Sequence, residues 1–385
     1  MQNQTTGRIE SNKFESGLPS DDPTVAVFEE GDRGPLRRVQ HFLHAYPTMV
    51  PFIILVLSVV IFSFFAGSRF FAPLNLSLVL QQVTIIAVLG IAQTLIILTA
   101  GIDLSVGAIM VLSSIVMGRL AVESGVPVYL SFPIGLATGV ACGWVNGVLV
   151  TKLRLPPFIV TLGTWSIFGA LVLFYSKSET IRQQDVQSVA SFLQWTGYAI
   201  NDGLRDSYGY FKGAWGSEAW PEWTFRFSGA RITYGSILML LMAFVVWYML
   251  NRTAFGRHVY ATGDDPDAAR LAGINTDRTL LAVYTIAGLI CAVAGWVLIG
   301  RIGAVSPLSG ATANLDSITA VVIGGTSLFG GRGSIVGTLI GALIVGVFRN
   351  GLALAGLDAL WQEFAVGVLI IVAVALDQWI RRVST

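Results

Sequence analysis

The chain has 385 residues, of which 54% are hydrophobic and only 12% are charged. A soluble domain carries roughly twice that share of charge, so the composition excludes an ordinary soluble fold. Long, nearly charge-free apolar runs instead predict an all-α integral membrane protein that crosses the bilayer many times. The formal net charge of +1 gives no indication of a nucleic-acid partner. Cys142 and Cys291 lie in apolar runs, so we expect free buried thiols.

The first 46 residues lack the apolar core of a signal peptide and are rich in Gly, Pro, Ser, Asp and Glu. We expect residues 1–46 to form a mostly disordered cytoplasmic tail. Leu36, Val39, Phe42 and Leu43 recur at helical spacing, which predicts a short interfacial helix just before the membrane.

Residues 47–383 are predicted to form the transmembrane domain, with about ten membrane-spanning helices. The apolar stretches lie at about 48–66, 76–99, 105–121, 127–150, 156–176, 233–250, 279–300, 314–328, 333–352 and 362–380. The third and the eighth stretches are short and glycine-rich.

Lys and Arg residues near the membrane predict the orientation, because short cytoplasmic loops carry an excess of them. With the N-terminus inside, the inner segments hold Arg37, Arg38, Lys152, Arg154, Arg252, Arg257, Arg270, Arg278, Arg332, Arg381 and Arg382. The short outer segments hold only Arg69, Arg119, Arg301 and Arg349. Both termini and residues 252–278 are therefore expected in the cytoplasm, and residues 177–232 form a long outer loop.

The outer loop 177–232 is dense in aromatic residues. One interpretation is an aromatic belt at the membrane interface, in which residues 185–195 could lie as an amphipathic helix. The other is a platform for a partner outside the cytoplasm. The composition favours neither.

The inner loop 252–278 contains a predicted short helix with its own start and stop signals. Asp265 is a suitable N-cap, Pro266 fits the first helical position, and Gly273 can end the helix in a left-handed conformation. Ala268 and Leu271 would share one exposed face with Ala272. The segment could be an ordinary ordered connection, or a docking helix for a cytoplasmic partner.

Two stretches of the sequence repeat weakly. Glycines recur every four residues along the fourth and the ninth stretch, at Gly135, Gly139, Gly143 and Gly147 and at Gly333, Gly337 and Gly341. Such spacing lets helix backbones approach closely. Residues 144–147 (WVNG) and 348–351 (FRNG) end these stretches alike, and 101–105 (GIDLS) loosely echoes 314–317 (NLDS). An odd number of helices in each half would make these two inverted five-helix repeats.

No catalytic constellation stands out in the sequence. Residues 325–330 begin like a phosphate-binding loop, but Gly331 and Arg332 follow where Lys and Ser or Thr are required. No cluster of His, Cys and carboxylates has metal-ligand spacing. Asp103 and Asp316 are the acidic residues nearest membrane depth; they could cap helices, face a cavity, or do both.

Four stretches together resemble the permease subunit of bacterial sugar-import ABC transporters of the ribose, xylose and fructose type. They are ILTAGIDLSVGAIM (97–110), PPFIVTLGTWSIFGAL (156–171), RHVYATGDDPDAARLAGINTDR (257–278) and LDSITAVVIGGTSLFGGRGSIVGTLIGALIVGVFRNGL (315–352). The resemblance covers about residues 48–383, and the wording of 156–195 and 305–383 is most similar to fructose-type permeases. Members often have Gly-Asn where this chain has Asp264-Asp265, and both versions can cap a helix.

The resemblance implies a non-catalytic subunit of the bacterial inner membrane. Two permease copies would form the pore as a homodimer, and a periplasmic sugar-binding protein would deliver a monosaccharide. A separate ABC ATPase subunit would bind ATP and Mg²⁺, so this chain would hold no cofactor. The family's coupling segment matches residues Asp265, Pro266, Ala268, Ala269, Arg270, Leu271, Gly273 and Asn275.

A neutral sugar needs hydrogen-bonding groups along its path and no fixed charge. The polar residues at membrane depth that we predict to line this path are Gln93, Asp103, Asn146, Thr161, Asp316 and Asn350. Some polar residues of this kind would serve as hydrogen bonds between helices.

Two other classes of protein remain open from the residues alone. An ion-coupled secondary transporter also contains inverted repeats, and it would need ionisable residues such as Asp103 or Asp316 to bind the ion. A structural or receptor-like membrane protein would have no use for a pore-forming repeat.

The predicted orientation is testable by thiol labelling. In a variant without its native cysteines, Ser207→Cys should react with a membrane-impermeant thiol reagent in intact spheroplasts, because loop 177–232 faces outward. Thr276→Cys serves as the control and should not react. Labelling of Thr276→Cys alone would show the opposite orientation.

Overall fold

The computed structural model describes residues 49–200, 230–310 and 312–382, and in these ranges the chain is all-helical apart from two isolated β-bridges. The predicted tail 1–46, its interfacial helix and residues 201–229 of the outer loop lie outside the described residues. The helices are α1 (Met49–Ala66), α2 (Pro73–Leu98), α3 (Val106–Gly118), α4 (Val128–Thr151), α5 (Pro157–Ser176), α6 (Gln183–Ala190), α7 (Tyr234–Arg252), α8 (Ala254–Asp264), α9 (Pro266–Leu271), α10 (Thr276–Ile302), α11 (Ala313–Ile323), α12 (Ile335–Leu354) and α13 (Ala359–Arg382).

Eight described helices are long and apolar enough to cross a membrane, α3 reaching that length through a π-helical turn at Arg119–Glu123. They are α1 to α5, α7, α10 and α12, and they match eight of the ten predicted stretches. The other two predictions coincide with shorter apolar helical stretches, Ala313–Ile323 and Ala359–Leu369. The protein is therefore a multi-pass helical membrane protein.

Helices α2 and α10 form the centre of the bundle. Every residue of α2 from Val83 to Leu98 is buried, and α10 packs against α2, α3 and α4. Helices α1, α5 and α7 instead leave many large apolar side chains exposed. Such surfaces are stable when they face lipid, because apolar side chains in contact with lipid chains are not exposed to water.

Helix α11 has only 11 residues and spans ~16 Å, about half of the ~30 Å hydrocarbon core. Its first turn meets the start of α3, where the side-chain amide of Asn314 donates to the carbonyl oxygen of Leu104 at 3.3 Å. A Cβ atom at Gly107 would lie 3.3 Å from the backbone nitrogen of Asn314. The N-termini of these two helices therefore converge.

Residues 177–200 pack on one end of the bundle. The backbones of Ile181 and Val305 exchange two hydrogen bonds of 2.9 and 3.1 Å. Helix α6 and the following 3₁₀ turn match the predicted amphipathic helix 185–195, and Trp195 stacks on Tyr234 with ring centroids 4.6 Å apart. Phe192 stacks on Trp296 at 5.2 Å. These aromatic residues of the loop thus pack on the chain's own helices.

The glycine spacing of α4 produces the predicted close helix contact. A Cβ atom at Gly139 would lie 2.5 Å from the carbonyl oxygen of Gly288 in α10, and one at Gly143 would collide with the carbonyl of Tyr284. On α12, a Cβ at Gly337 would collide with the carbonyl oxygen of Gly324. The backbones thus meet where no side chain fits.

Substitution of these glycines should destabilise the fold. Gly139→Leu or Gly337→Leu forces the backbones apart, and overpacking typically costs about 1–3 kcal/mol. We expect loss of protein from the membrane and a lower midpoint of thermal unfolding. Gly163→Leu on α5 is the control, because no heavy atom lies within 4 Å of its Cβ position. Unchanged stability of the first two variants would contradict the close packing.

Candidate functional site

A buried polar cluster surrounds Asp103, in the non-helical segment between α2 and α3. Asp103 is 2% exposed, and its Oδ1 accepts hydrogen bonds from the backbone amide and the hydroxyl of Ser105, both at 2.6 Å. Asn146 of α4 donates from its Nδ2 to the Ser105 hydroxyl at 2.8 Å and to Asp103 Oδ2 at 3.4 Å. The expectation that Asp103 accepts a backbone amide next to a helix start is therefore confirmed.

Two further predicted path residues hold the same segment by its backbone. With its amide oriented to satisfy both groups, Gln93 donates to the carbonyl oxygen of Asp103 at 3.1 Å and accepts from its amide at 3.2 Å. Thr161 of α5 donates from its hydroxyl to the carbonyl oxygen of Ile102 at 3.0 Å. Gln93, Asp103, Asn146 and Thr161 thus come together, and all four are buried.

The other two predicted path residues lie elsewhere. Asp316 is the fourth residue of α11 and accepts a 2.7 Å hydrogen bond from Arg349, so the expectation that it precedes and caps a helix is wrong. Arg349 also contacts Glu363 at 2.9 Å. Asn350 exchanges two amide hydrogen bonds with Asn75 of α2, of 2.8 and 3.0 Å.

The predicted short helix of loop 252–278 is present as α9. The side chain of Asp265 accepts from the amides of Asp267 and Ala268 at 2.9 and 3.0 Å, and Pro266 is the first helical residue. Gly273 has φ +85°, the left-handed conformation expected of the residue that ends the helix. Asn275 caps the next helix, α10, by accepting from the amide of Arg278 at 3.0 Å. The predictions for Asp265, Pro266 and Gly273 are confirmed, and the cap at Asn275 is an additional finding of the structure.

Every residue of the predicted coupling set is exposed except Ala269. Leu271 is 92% exposed, and Ala268 is exposed beside it, whereas Ala269 is 4% exposed. Ala269 is thus part of the packing inside this chain. Arg270 donates from Nε to the hydroxyl of Thr276 at 2.9 Å, which ties α9 to α10. Leu271 and Ala268 remain available to another protein.

Helix α8 packs against the end of α2 and against the connection between α11 and α12. The sequence alone does not predict this contact. A Cβ atom at Gly263 would collide with the carbonyl oxygen of Leu98, and the amide of Gly331 donates to that same oxygen at 3.0 Å. The Tyr260 hydroxyl donates to the carbonyl oxygen of Gly333 at 2.9 Å. Burial raises the pKa of Tyr260, so the hydroxyl keeps its proton and this hydrogen bond at neutral pH.

Loop 252–278 is thereby joined to the polar cluster. Leu98 ends α2, five residues before Asp103, and Gly331 belongs to the connection between α11 and α12. In the described ranges, no group of three or more His, Cys, Asp or Glu residues could hold a metal ion. The site consists of hydrogen-bonding side chains that fix non-helical backbone, linked to a rigid pair of short helices.

Comparison with known proteins gives a consistent result. The family model described as "Branched-chain amino acid transport system / permease component" matches residues 75–374. The chain is 52% identical to the fructose import permease protein of Rhizobium meliloti over 384 residues, which cover 100% of both chains. It is 39% identical to the ribose import permease protein of Bacillus subtilis (strain 168), over 88% of this chain and 95% of the relative.

A third relative is the xylose transport system permease protein of Escherichia coli (strain K12). It is 32% identical over 359 residues, 84% of this chain and 89% of the relative. No solved structure matches the chain significantly.

The ion pair of Asp316 and Arg349 generates a stability prediction. Removing one partner of a buried pair costs about 3–5 kcal/mol, and somewhat less is expected here because Arg349 is partly exposed. Arg349→Met should lower the unfolding midpoint of the purified protein, and the double variant Arg349→Met/Asp316→Asn should recover part of the loss. Glu363→Gln, at the exposed partner, is the control. Equal midpoints for all the variants would show that the pair does not stabilise the fold.

Proposed function

The chain belongs to the family described as the permease component of branched-chain amino acid transport systems, and from this premise we propose that its cargo is a monosaccharide. The full-length identity of 52% to a fructose import permease carries the proposal. Similarity to ribose and xylose permeases is lower and supports the same substrate class. Fructose is accordingly the first sugar to test. The ion-coupled alternative is not favoured, because the relatives are import permeases of one kind.

We propose that the protein lies in the bacterial inner membrane with both termini in the cytoplasm. Loop 252–278 then faces the cytoplasm, and residues 177–232 face a periplasmic binding protein. The convergence of the N-termini of α3 and α11 supports two inverted five-helix halves, since each half would contribute one of the two helices that meet there. Counting α11 and α13 together with the eight helices that are long enough to cross the membrane gives the ten helices of this arrangement.

The proposed partners are a second permease copy, a sugar-binding protein and a separate ATPase subunit. A short helix with the exposed side chain of Leu271 suits a groove on the ATPase, and Asp265, Pro266 and Gly273 give that helix its shape. Arg270 and Asn275 anchor it to α10, and Ala268 shares the exposed face. Ala269 is buried and packs inside this chain.

Transmission into the membrane would follow the contacts of α8. A displacement of α9 moves α8 with it, because only Asp265 separates the two helices. Gly263 and Tyr260 then act on the backbone at Leu98 and Gly333. The polar cluster makes the segment 101–105 stiff, so the movement reaches the start of α3 as a rigid shift.

Reconstitution tests the function. The permease, the ATPase subunit and the binding protein are placed in proteoliposomes, and uptake of labelled fructose, ribose and xylose is measured. ATP-dependent uptake that requires all three components is expected. Uptake by this chain alone, driven by a proton gradient, would overturn the proposal.

Leu271 provides the test of coupling. Leu271→Asp should leave the fold intact, because the side chain is exposed. Loss of an interface anchor costs about 2 kcal/mol, or roughly 30-fold in affinity for the ATPase subunit. Co-purification of the ATPase and its stimulation by sugar-loaded binding protein should both fall. Leu271→Met keeps an apolar contact and should behave as wild type. Full stimulation in Leu271→Asp would reduce α9 to a simple connection.

A further inference from the structure

A cavity of about 290 Å³ lies between α3, α5 and the segment that leads into α11. Its walls include Gly107 and Val111 of α3, Trp165 and Gly169 of α5, and Ser309 and Asn314. None of the described residues that line it is ionisable. It begins beside the converging N-termini of α3 and α11 and extends along α5 to Leu173, three residues before that helix ends.

Several groups in this cavity have hydrogen-bonding capacity to spare. Asn314 is 7% exposed and uses its Nδ2 on Leu104, and within the described ranges no donor reaches its Oδ1. Trp165 is 43% exposed, and no described residue accepts a hydrogen bond from its indole N–H. The hydroxyl of Ser309 has no partner in the same ranges. One donor, one acceptor and one hydroxyl with capacity to spare thus line a mainly apolar cavity, whose wall also contains the hydroxyl of Ser166, which donates to the carbonyl oxygen of Leu162 at 3.5 Å.

This combination selects a class of ligand. An amino acid would bring a carboxylate and an ammonium group into a cavity that offers neither charge a partner, and burying unpaired charges is strongly unfavourable. A neutral polyol needs only donors and acceptors, and its C–H groups can pack on the indole face. The volume lies near the low end of small-ligand sites, about 300–1,000 Å³. The cavity therefore suits a single sugar ring.

We propose that this cavity is the monosaccharide site within the membrane, an assignment that rests on the proposed function. Trp165 supplies the stacking face, and Asn314 and Ser309 bond sugar hydroxyls. The polar residues around Asp103 then hold the adjoining backbone and are not themselves the sugar contacts. Sugar released at the 177–200 end of the bundle would reach this cavity before the converging helix ends.

Helix α5 offers a matched pair of glycines for the test. Cβ positions at both Gly169 and Gly163 have no heavy atom within 4 Å, so a larger side chain fits at either without a clash. Only Gly169 lines the cavity. Gly169→Leu should lower sugar uptake by the reconstituted complex about tenfold or more, the equivalent of ~1.4 kcal/mol. ATPase stimulation by loaded binding protein should persist. Gly163→Leu should leave both unchanged.

A binding readout without turnover completes the design. Gly169→Cys and Gly163→Cys are labelled in the purified complex with a small thiol reagent, in the presence of saturating fructose, ribose, xylose or leucine. A sugar should slow labelling at Gly169→Cys several-fold, and leucine should not. Labelling at Gly163→Cys should be unaffected by any of them.

The possible outcomes distinguish a failure of the proposed site from a failure of the proposed function. Wild-type uptake of sugar together with full uptake by Gly169→Leu, or with no protection of Gly169→Cys, overturns the site and leaves the function standing. Protection by leucine and not by sugars overturns the substrate class of the site. Loss of assembled complex in Gly169→Leu alone shows a packing surface for lipid or a second copy, which also overturns the site. Absence of uptake by the wild-type complex overturns the proposed function.

Discussion

The bundle depends on satisfying buried non-helical backbone. Each unpaired N–H or C=O that is buried away from water costs several kcal/mol, so a break between helices is stable in the interior only when protein groups replace the missing helical bonds. Between α2 and α3 those groups are the amide of Gln93 and the hydroxyl of Thr161, which bond the backbone of residues 102 and 103. The carboxylate of Asp103 also accepts hydrogen bonds from the backbone amide of Ser105 and from the side-chain amide of Asn146. The non-helical segment between α2 and α3 is thus held in one conformation.

That rigidity explains why the coupling segment can act at a distance. Side-chain contacts between α8 and the bundle would absorb a small displacement by changing rotamers. Here backbone meets backbone, at Gly263 against Leu98 and at Gly330 against the carbonyl of Gly263. Glycine allows this close approach, so at these two points no side chain separates α8 from the bundle, and the hydrogen bond from Tyr260 to Gly333 adds to the contact. The same principle holds α4 against α10 within the membrane.

The sequence predicted most of the fold because its signals are local. Hydropathy located the long helices, and the Asp265-Pro266 and Gly273 signals located α9. Burial is not a local property, so the coupling segment that the resemblance implies includes Ala269, although this residue is buried in the structure. Pairing between distant helices is not local either, so the sequence leaves Asp316 as a candidate helix cap or cavity residue and gives no sign of its ion pair with Arg349. Trp165 and Gly169 lie in one apolar stretch, where nothing in the sequence distinguishes a cavity wall from a lipid-facing surface.

The hydrogen-bonded amides of Asn75 and Asn350 constrain the order of events during synthesis and membrane insertion of the protein. The two residues are 275 positions apart, and each satisfies the other. At about 5–20 residues per second, a ribosome needs roughly 14–55 s to make the intervening chain. Throughout that interval the Oδ1 of Asn75 lacks its native donor, Asn350, whereas its Nδ2 can already donate to the nearby carbonyl oxygen of Phe70, at 2.9 Å in the folded protein. Closure of this pair therefore belongs to the last stage of biogenesis, after α12 has been inserted.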